Sequence, residues 1–255
     1  MKYPQIERLI NIIATLRGEQ GCPWDREQTH YSLKKNMIEE AYEAVDAIED
    51  ADSKHLKEEL GDVLLQVVLH SQIAKESNEF DIEDVAKGIS DKLVYRHPHV
   101  FGDAHVDCAD DVVDAWEKLK AKEKTHRVSA MDGISKAQSA LMSAQKISKN
   151  AVKKGFEWPN TQTLWECFYS EIDEFKEALE ENDFVHAEEE FGDILFASVN
   201  LARWNKIDAE QALLKANRKF IARFRKMEEL ATKPLEEYSF EEYDLLWKQA
   251  KNELK

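Results

Sequence analysis

Residues 39–65 read EEAYEAVDAIEDADSKHLKEELGDVLL, and residues 170–196 read SEIDEFKEALEENDFVHAEEEFGDILF. Laid over one another without gaps, they set Glu40 on Glu171, Glu43 on Glu174, Glu59 on Glu190 and Asp62 on Asp193. Each pair differs by 131 in number, as do Gly61 and Gly192, the glycines before the two aspartates. Downstream, Lys92 and Arg96 answer to Lys219 and Arg223 at an offset of 127, and Trp116 to Trp247 at 131 again. Upstream, Gly21-Cys22-Pro23-Trp24-Asp25 is loosely echoed by Gly155-Phe156-Glu157-Trp158-Pro159-Asn160. Two acidic helices resembling one another by chance would not keep four carboxylates, a glycine, a Lys/Arg pair and a tryptophan in one order. The chain therefore reads as a tandem repeat.

Apolar spacing around these blocks is helical. Leu33, Met37, Ala41, Ala44 and Ile48 recur at three- and four-residue steps, with Glu40 and Glu43 at one edge of the stripe. The pattern predicts helices near 4–17, 31–49, 54–75, 82–96 and 110–124. A second set follows near 136–153, 161–181, 184–205, 208–231 and 239–253. Asp208 is a candidate N-cap, and Pro234 falls in the break before the last helix. After Asp62 the sequence Val-Leu-Leu-Gln-Val-Val-Leu is apolar almost all round, so that helix is expected to be largely buried. The fold class is all-α, a tandem repeat of two helical bundle units. The first is expected over residues 1–124 and the second over 135–255, joined by a linker over 125–134 that lacks periodicity and contains Gly133.

Composition narrows the function. Of 255 residues, 43% are apolar and 34% charged, with only 8 Gly and 5 Pro, which suits helices rather than a turn-rich β fold. A net charge of -16 repels polyanions and argues against a nucleic-acid partner. No apolar run reaches membrane-spanning length and no signal peptide opens the chain. Cys22, Cys108 and Cys167 form no Cys-x-x-Cys pair and fit reduced thiols in a cytoplasmic protein.

Glu40 and Glu43 share a helical face, as do Glu59 and Asp62 on the following helix, and a short connection makes those helices antiparallel neighbours. Four converging carboxylates beside apolar packing call for shifted pKa values, cationic partners or a divalent ion. Oxygen donors without Cys or His favour Mg²⁺ or Mn²⁺ over zinc. Taken singly, a Glu-x-x-Glu is more often a solvated face; two adjacent pairs, repeated, are not. Lys92 with Arg96, and Lys219 with Arg223, offer a point charge and a forked donor for phosphate oxygens. Trp116 and Trp247 are packing residues or base-stacking platforms. Glu27-x-x-His30 and Glu123-x-x-His126 have the spacing of di-iron bundle ligands, yet neither recurs in the other unit and both read as surface pairs. His97-Pro98-His99 reads as a turn. There is no P-loop. A non-catalytic nucleotide-sensing or regulatory helical dimer and a di-iron carboxylate bundle are the alternative readings.

The chain resembles the MazG family of nucleoside triphosphate pyrophosphohydrolases in its two-unit form. The likeness rests on Gly21-Cys22-Pro23-Trp24-Asp25, Glu39-Glu40-Ala41-Tyr42-Glu43, Glu59-Leu60-Gly61-Asp62 and Arg96-His97-Pro98-His99-Val100-Phe101. In the second unit it rests on Glu171-Ile172-Asp173-Glu174, Glu190-Phe191-Gly192-Asp193 and Lys215-Ala216-Asn217-Arg218-Lys219-Phe220. The resemblance implies two MazG-like all-α units, a homodimer, and Mg²⁺-dependent hydrolysis of an NTP to NMP and diphosphate by metal-activated water. It implies that Glu171, Glu174, Glu190 and Asp193 bind metal and carry catalysis, with Lys219, Arg223 and Trp247 on the nucleotide. His186 stands where the family pattern has a basic phosphate contact. Glu40, Glu43, Glu59 and Asp62, with Lys92, Arg96 and Trp116, form a second candidate site. The second unit is expected to be the hydrolytic one.

Overall fold

The computed structural model describes residues 3–254 except 107, 109, 110, 113, 114, 117, 118, 121, 122 and 124–127. The described residues contain helices and turns but no strand, and they fall into two compact units, Met1–Glu123 and Lys124–Lys255. Residues 125–127 of the expected linker lie outside the described residues. Among the described residues no helix is long and apolar enough to cross a membrane.

The first unit is organised around one long helix. α1 (Pro4–Arg17), α2 (Pro23–Glu27), α3 (Lys34–Glu49), α4 (Ser53–Glu76), α5 (Ile82–Arg96) and α6 (Pro98–Phe101) follow in order, and α1, α3 and α5 all pack on α4. Ile13, Leu33, Val68, Leu69 and Ile73 make the core. Arg17 fastens the end of α4 to the α2 region: its Nε and Nη2 donate to Glu76 at 2.9 and 2.7 Å, and its Nη1 donates to the carbonyl oxygens of Asp25 and Gln28. Of residues 111–123, the described positions 111, 112, 115, 116, 119, 120 and 123 are helical.

The second unit has the same plan. α7 (Ala140–Val152), α8 (Thr161–Glu180) and α10 (Ala209–Leu230) pack on α9 (Phe184–Trp204), and α11 (Phe240–Glu253) packs on α10 around Met227, Leu246 and Ala250. Arg203 here takes the role of the fastener. It donates to both oxygens of Glu157 at 2.7 Å and to Ser148 Oγ at 2.6 Å, and Ser148 in turn donates to the buried Asn200. Asp208 caps α10 by accepting from the Gln211 amide, as its position suggested.

Several expectations need adjusting. α3 starts at Lys34 rather than near 31, because Thr29 and Ser32 exchange side-chain bonds to each other's amides and hold a turn there. α7 starts at Ala140 rather than 136, where Ser139 accepts from the Met142 amide. α4 is buried on one side only: Gln66, Val68, Leu69, Ile73 and Ala74 face inward while Leu60 and Leu64 are exposed. Three partner helices within the unit cover only part of its circumference. The His97-Pro98-His99 segment is a turn, with Pro98 opening α6. Glu27 and His30 are exposed, and His30 Nδ1 meets His70 Nδ1 at 2.7 Å. Glu123 pairs with Arg96, while His126 lies outside the described residues.

Candidate metal and nucleotide site

Two helical hairpins, α3–α4 and α8–α9, build the acidic centres. Each is closed by three residues, 50–52 and 181–183. Each bends through a left-handed residue, Ala51 (φ 54°) or Asn182 (φ 58°), and opens its second helix with an aspartate cap, Asp52 or Asp183. The matched connections set the register. Glu43 lies six residues before the last residue of α3 and Glu59 six after the first of α4, so both stand about 9 Å from the bend at 1.5 Å per residue. Glu40 and Asp62 are level in the same way, as are Glu174 with Glu190 and Glu171 with Asp193.

The side chains meet as this register requires. One carboxylate oxygen each from Glu40, Glu43 and Glu59 lies within 4.8 Å of the others, and Glu171, Glu174 and Glu190 repeat the arrangement. Asp62 and Asp193 stand at the margin of their clusters, close enough for their charge to be felt. Burial raises the Glu40 carboxyl above its ordinary range, and Asp62, Glu43 and Glu59 push it further. Glu59 is raised by burial and by Glu43. Glu171 is raised by burial, with the Cys167 thiol acting against the shift and Glu174, Asp193 and Glu190 adding to it.

Glu59 and Glu190 are the buried members, 7% and 8% exposed. Each is met by a histidine one turn earlier: His55 Nε2 lies 3.0 Å from Glu59 Oε1, and His186 Nε2 lies 2.9 Å from Glu190 Oε1. The second oxygen of Glu190 is buried without a hydrogen-bond partner. A desolvated carboxylate oxygen facing other carboxylates is costly to leave unmet. A divalent cation satisfies it, and an all-oxygen donor set fits a hard ion.

In each unit the expected arginine lies over the expected indole. The Arg96 guanidinium lies over the Trp116 ring at 5.2 Å and binds Glu123. Arg223 lies over Trp247 at 5.6 Å, with Phe220 against the same ring. Lys92 and Lys219 are exposed. Among the described residues, no hydrogen bond or ion pair joins Lys92, Arg96, Lys219 or Arg223 to either acidic cluster.

Two neighbours of the clusters escaped the sequence reading. His55 is missing from it although it stands 131 before His186; the offset alone would have found it. Cys167, read only as a reduced thiol, is half-buried, and its Sγ lies 3.6 Å from Glu171 Oε1.

Comparison with known proteins identifies the family. A family model described as the MazG nucleotide pyrophosphohydrolase domain matches twice, over residues 28–101 and 160–227. The nucleoside triphosphate pyrophosphohydrolase/pyrophosphatase MazG of Thermotoga maritima is 47% identical over 96% of this chain and 95% of that protein. The nucleoside triphosphate pyrophosphohydrolase of Escherichia coli K12 is 43% identical over 98% of both. YabN of Bacillus subtilis, a protein without an assigned activity, is 47% identical over 98% of this chain, which spans 52% of its length.

Proposed function

This chain belongs to the MazG nucleotide pyrophosphohydrolase family, and from that premise we propose that its acidic hairpins hold Mg²⁺, or Mn²⁺ in its place, against the phosphates of a nucleoside triphosphate. The chain is a nucleoside triphosphate pyrophosphohydrolase: an NTP and water give an NMP and diphosphate. The observation that carries the metal assignment is the buried, unpartnered oxygen of Glu190 inside a ring of carboxylates.

In the second unit, Glu171, Glu174, Glu190 and Asp193 would hold the ion. When bound, the ion supplies charge neutralisation for the triphosphate and makes a nearby water more acidic. His186 occupies one oxygen of Glu190 and leaves the other buried without a partner, fixing the carboxylate as an outer partner fixes a ligand. Lys219 and Arg223 neutralise phosphate oxygens, and the Trp247 ring stacks on the base. Glu40, Glu43, Glu59 and Asp62, with Lys92, Arg96 and Trp116, form the corresponding site of the first unit. The second unit carries hydrolysis, in the cytosol.

Apolar side chains left in solvent support a homodimer: Phe191 and Leu195 on α9, and Phe220, Ile221 and Phe224 on α10. Diphosphate release from a panel of NTPs, by the native chain and by Glu59→Gln and Glu190→Gln separately, tests the reading. Glu190→Gln should abolish release and Glu59→Gln should leave most of it. Native turnover in Glu190→Gln would remove the second unit as the catalytic one.

A further inference from the structure

The arginines over the two indoles are not in the same condition. In the first unit Arg96 ends α5 and is 8% exposed, with its guanidinium over Trp116 at 5.2 Å. Its Nε donates to Glu123 Oε2 at 3.1 Å, and its Nη2 donates to the same oxygen. In the second unit Arg223 is half-buried over Trp247 at 5.6 Å. Among the described residues no hydrogen bond or ion pair reaches Arg223. The two tryptophans are 131 apart, and at that offset Glu123 answers to Leu254, which is exposed at the end of α11. The acid beside it, Glu253, is held by Lys226 at 3.1 Å. Both units thus set an arginine over a tryptophan, and they differ in whether a carboxylate sits on it.

We propose that Glu123 is a positioning residue that closes the first unit to polyphosphate: it occupies the Arg96 donors that a nucleotide phosphate would need, while Arg223 keeps its own open. This rests on the reading that Arg96 and Arg223 bind phosphate oxygens, and it adds the residue that makes the two units unequal. A guanidinium holds carboxylate and phosphate through the same forked donors, so the two anions compete for one place. Glu123 belongs to the chain and is always at hand, whereas the nucleotide arrives from solution. A triphosphate entering the first unit has to expel Glu123 and then sits beside its negative charge, a repulsive element that the second unit lacks. Displacing a charge-assisted pair weakens the first unit about tenfold to a hundredfold relative to the second. A leucine at the matching place neither accepts from an arginine nor repels a phosphate.

The test is calorimetric titration of the full chain, in Mg²⁺, with α,β-methylene-ATP, whose α–β bridge is not hydrolysed. One tight equivalent per chain is expected, and Arg223→Ala should remove it. Glu123→Leu should add a second equivalent, about tenfold to a hundredfold tighter than the native first unit offers, and Arg96→Ala in that background should remove it again. Glu123→Gln, which keeps an acceptor on Arg96 without the charge, should give a partial gain, and it decides the matter if the leucine variant loses its helical circular dichroism. A purely structural Glu123 would lower stability without adding an equivalent. Two equal equivalents in the native chain overturn the proposal. So does a helical Glu123→Leu or Glu123→Gln chain that gains none; loss of binding in Arg223→Ala then still supports the phosphate reading. A native equivalent undiminished by Arg223→Ala, or no binding by the native chain, removes the phosphate reading and the proposal with it.

Discussion

Replacing Glu190 by glutamine separates metal binding from folding. In the native chain one Glu190 oxygen is held by His186 at 2.9 Å, the other is buried without a partner, and one of the two lies within 4.8 Å of an oxygen of Glu171 and of Glu174. Two unit charges at that distance repel by about 3.5 kcal/mol in a surrounding of effective dielectric near 20. Glu174 is exposed and Glu171 half-exposed, so solvent screens most of this and leaves about 1 kcal/mol. In Glu190→Gln the amide oxygen still accepts from His186. The amide nitrogen replaces the orphaned oxygen and offers its hydrogens to the neighbouring carboxylates. Urea unfolding of the metal-free proteins should therefore find the variant about 1 kcal/mol more stable, with an unchanged m value. Added Mg²⁺ should stabilise the native chain, by about 2.7 kcal/mol at a hundred times its Kd, and the variant distinctly less. A variant that is less stable without metal yet gains as much from Mg²⁺ would refute the picture of a strained carboxylate ring awaiting a cation.

Raised Glu40, Glu59 and Glu171 carboxyls bind protons more tightly folded than unfolded, so their contribution is complete below the ordinary glutamate range and is lost as pH rises through the raised values. Metal-free stability should thus fall as pH climbs above that range, and saturating Mg²⁺ should flatten the decline; a metal-free chain that gains stability over the same window contradicts the assignment. Trp247→Ala should raise KM for the nucleotide more than it lowers kcat, and an unchanged KM would leave the indole as a packing partner of Phe220 and Arg223. A methyl group added at Gly192 meets nothing within 4 Å, so Gly192→Ala should stabilise the second unit by about 1 kcal/mol at low protein concentration, the difference in helix propensity. A loss of stability there would mean that another body already fills the space.

The acidic centres were legible because a helical hairpin turns sequence spacing into spatial register. Glu-x-x-Glu, a three-residue connection and Glu-x-x-Asp together decide which carboxylates stand level, and no other part of the chain can alter that. The position of Arg96 and Arg223 was not legible in the same way. They sit on helices that follow the hairpins, and where those helices carry their guanidinium groups depends on packing that spacing does not encode. α2 and α6, at five and four residues, are shorter than any periodicity can report, and a proline at the start of each was their only sign. The half-open state of α4 was hidden for another reason: an apolar helix surface looks the same in sequence whether its own unit or a second copy covers it. His55 is legible in the repeat itself, since it stands 131 before His186.

The three-residue connections also act as a ruler. One residue added to 50–52 or 181–183 would advance the following helix by about 1.5 Å and turn it by about 100°. That would carry Glu59 or Glu190 off the shared face while leaving the helices themselves intact. Ala51, which tolerates a positive φ less readily than the asparagine at 182, keeps the same bend regardless. Loop length in this repeat thus decides which carboxylates meet as much as the acids themselves do, and an insertion at the bend would disperse a cluster without unfolding its unit.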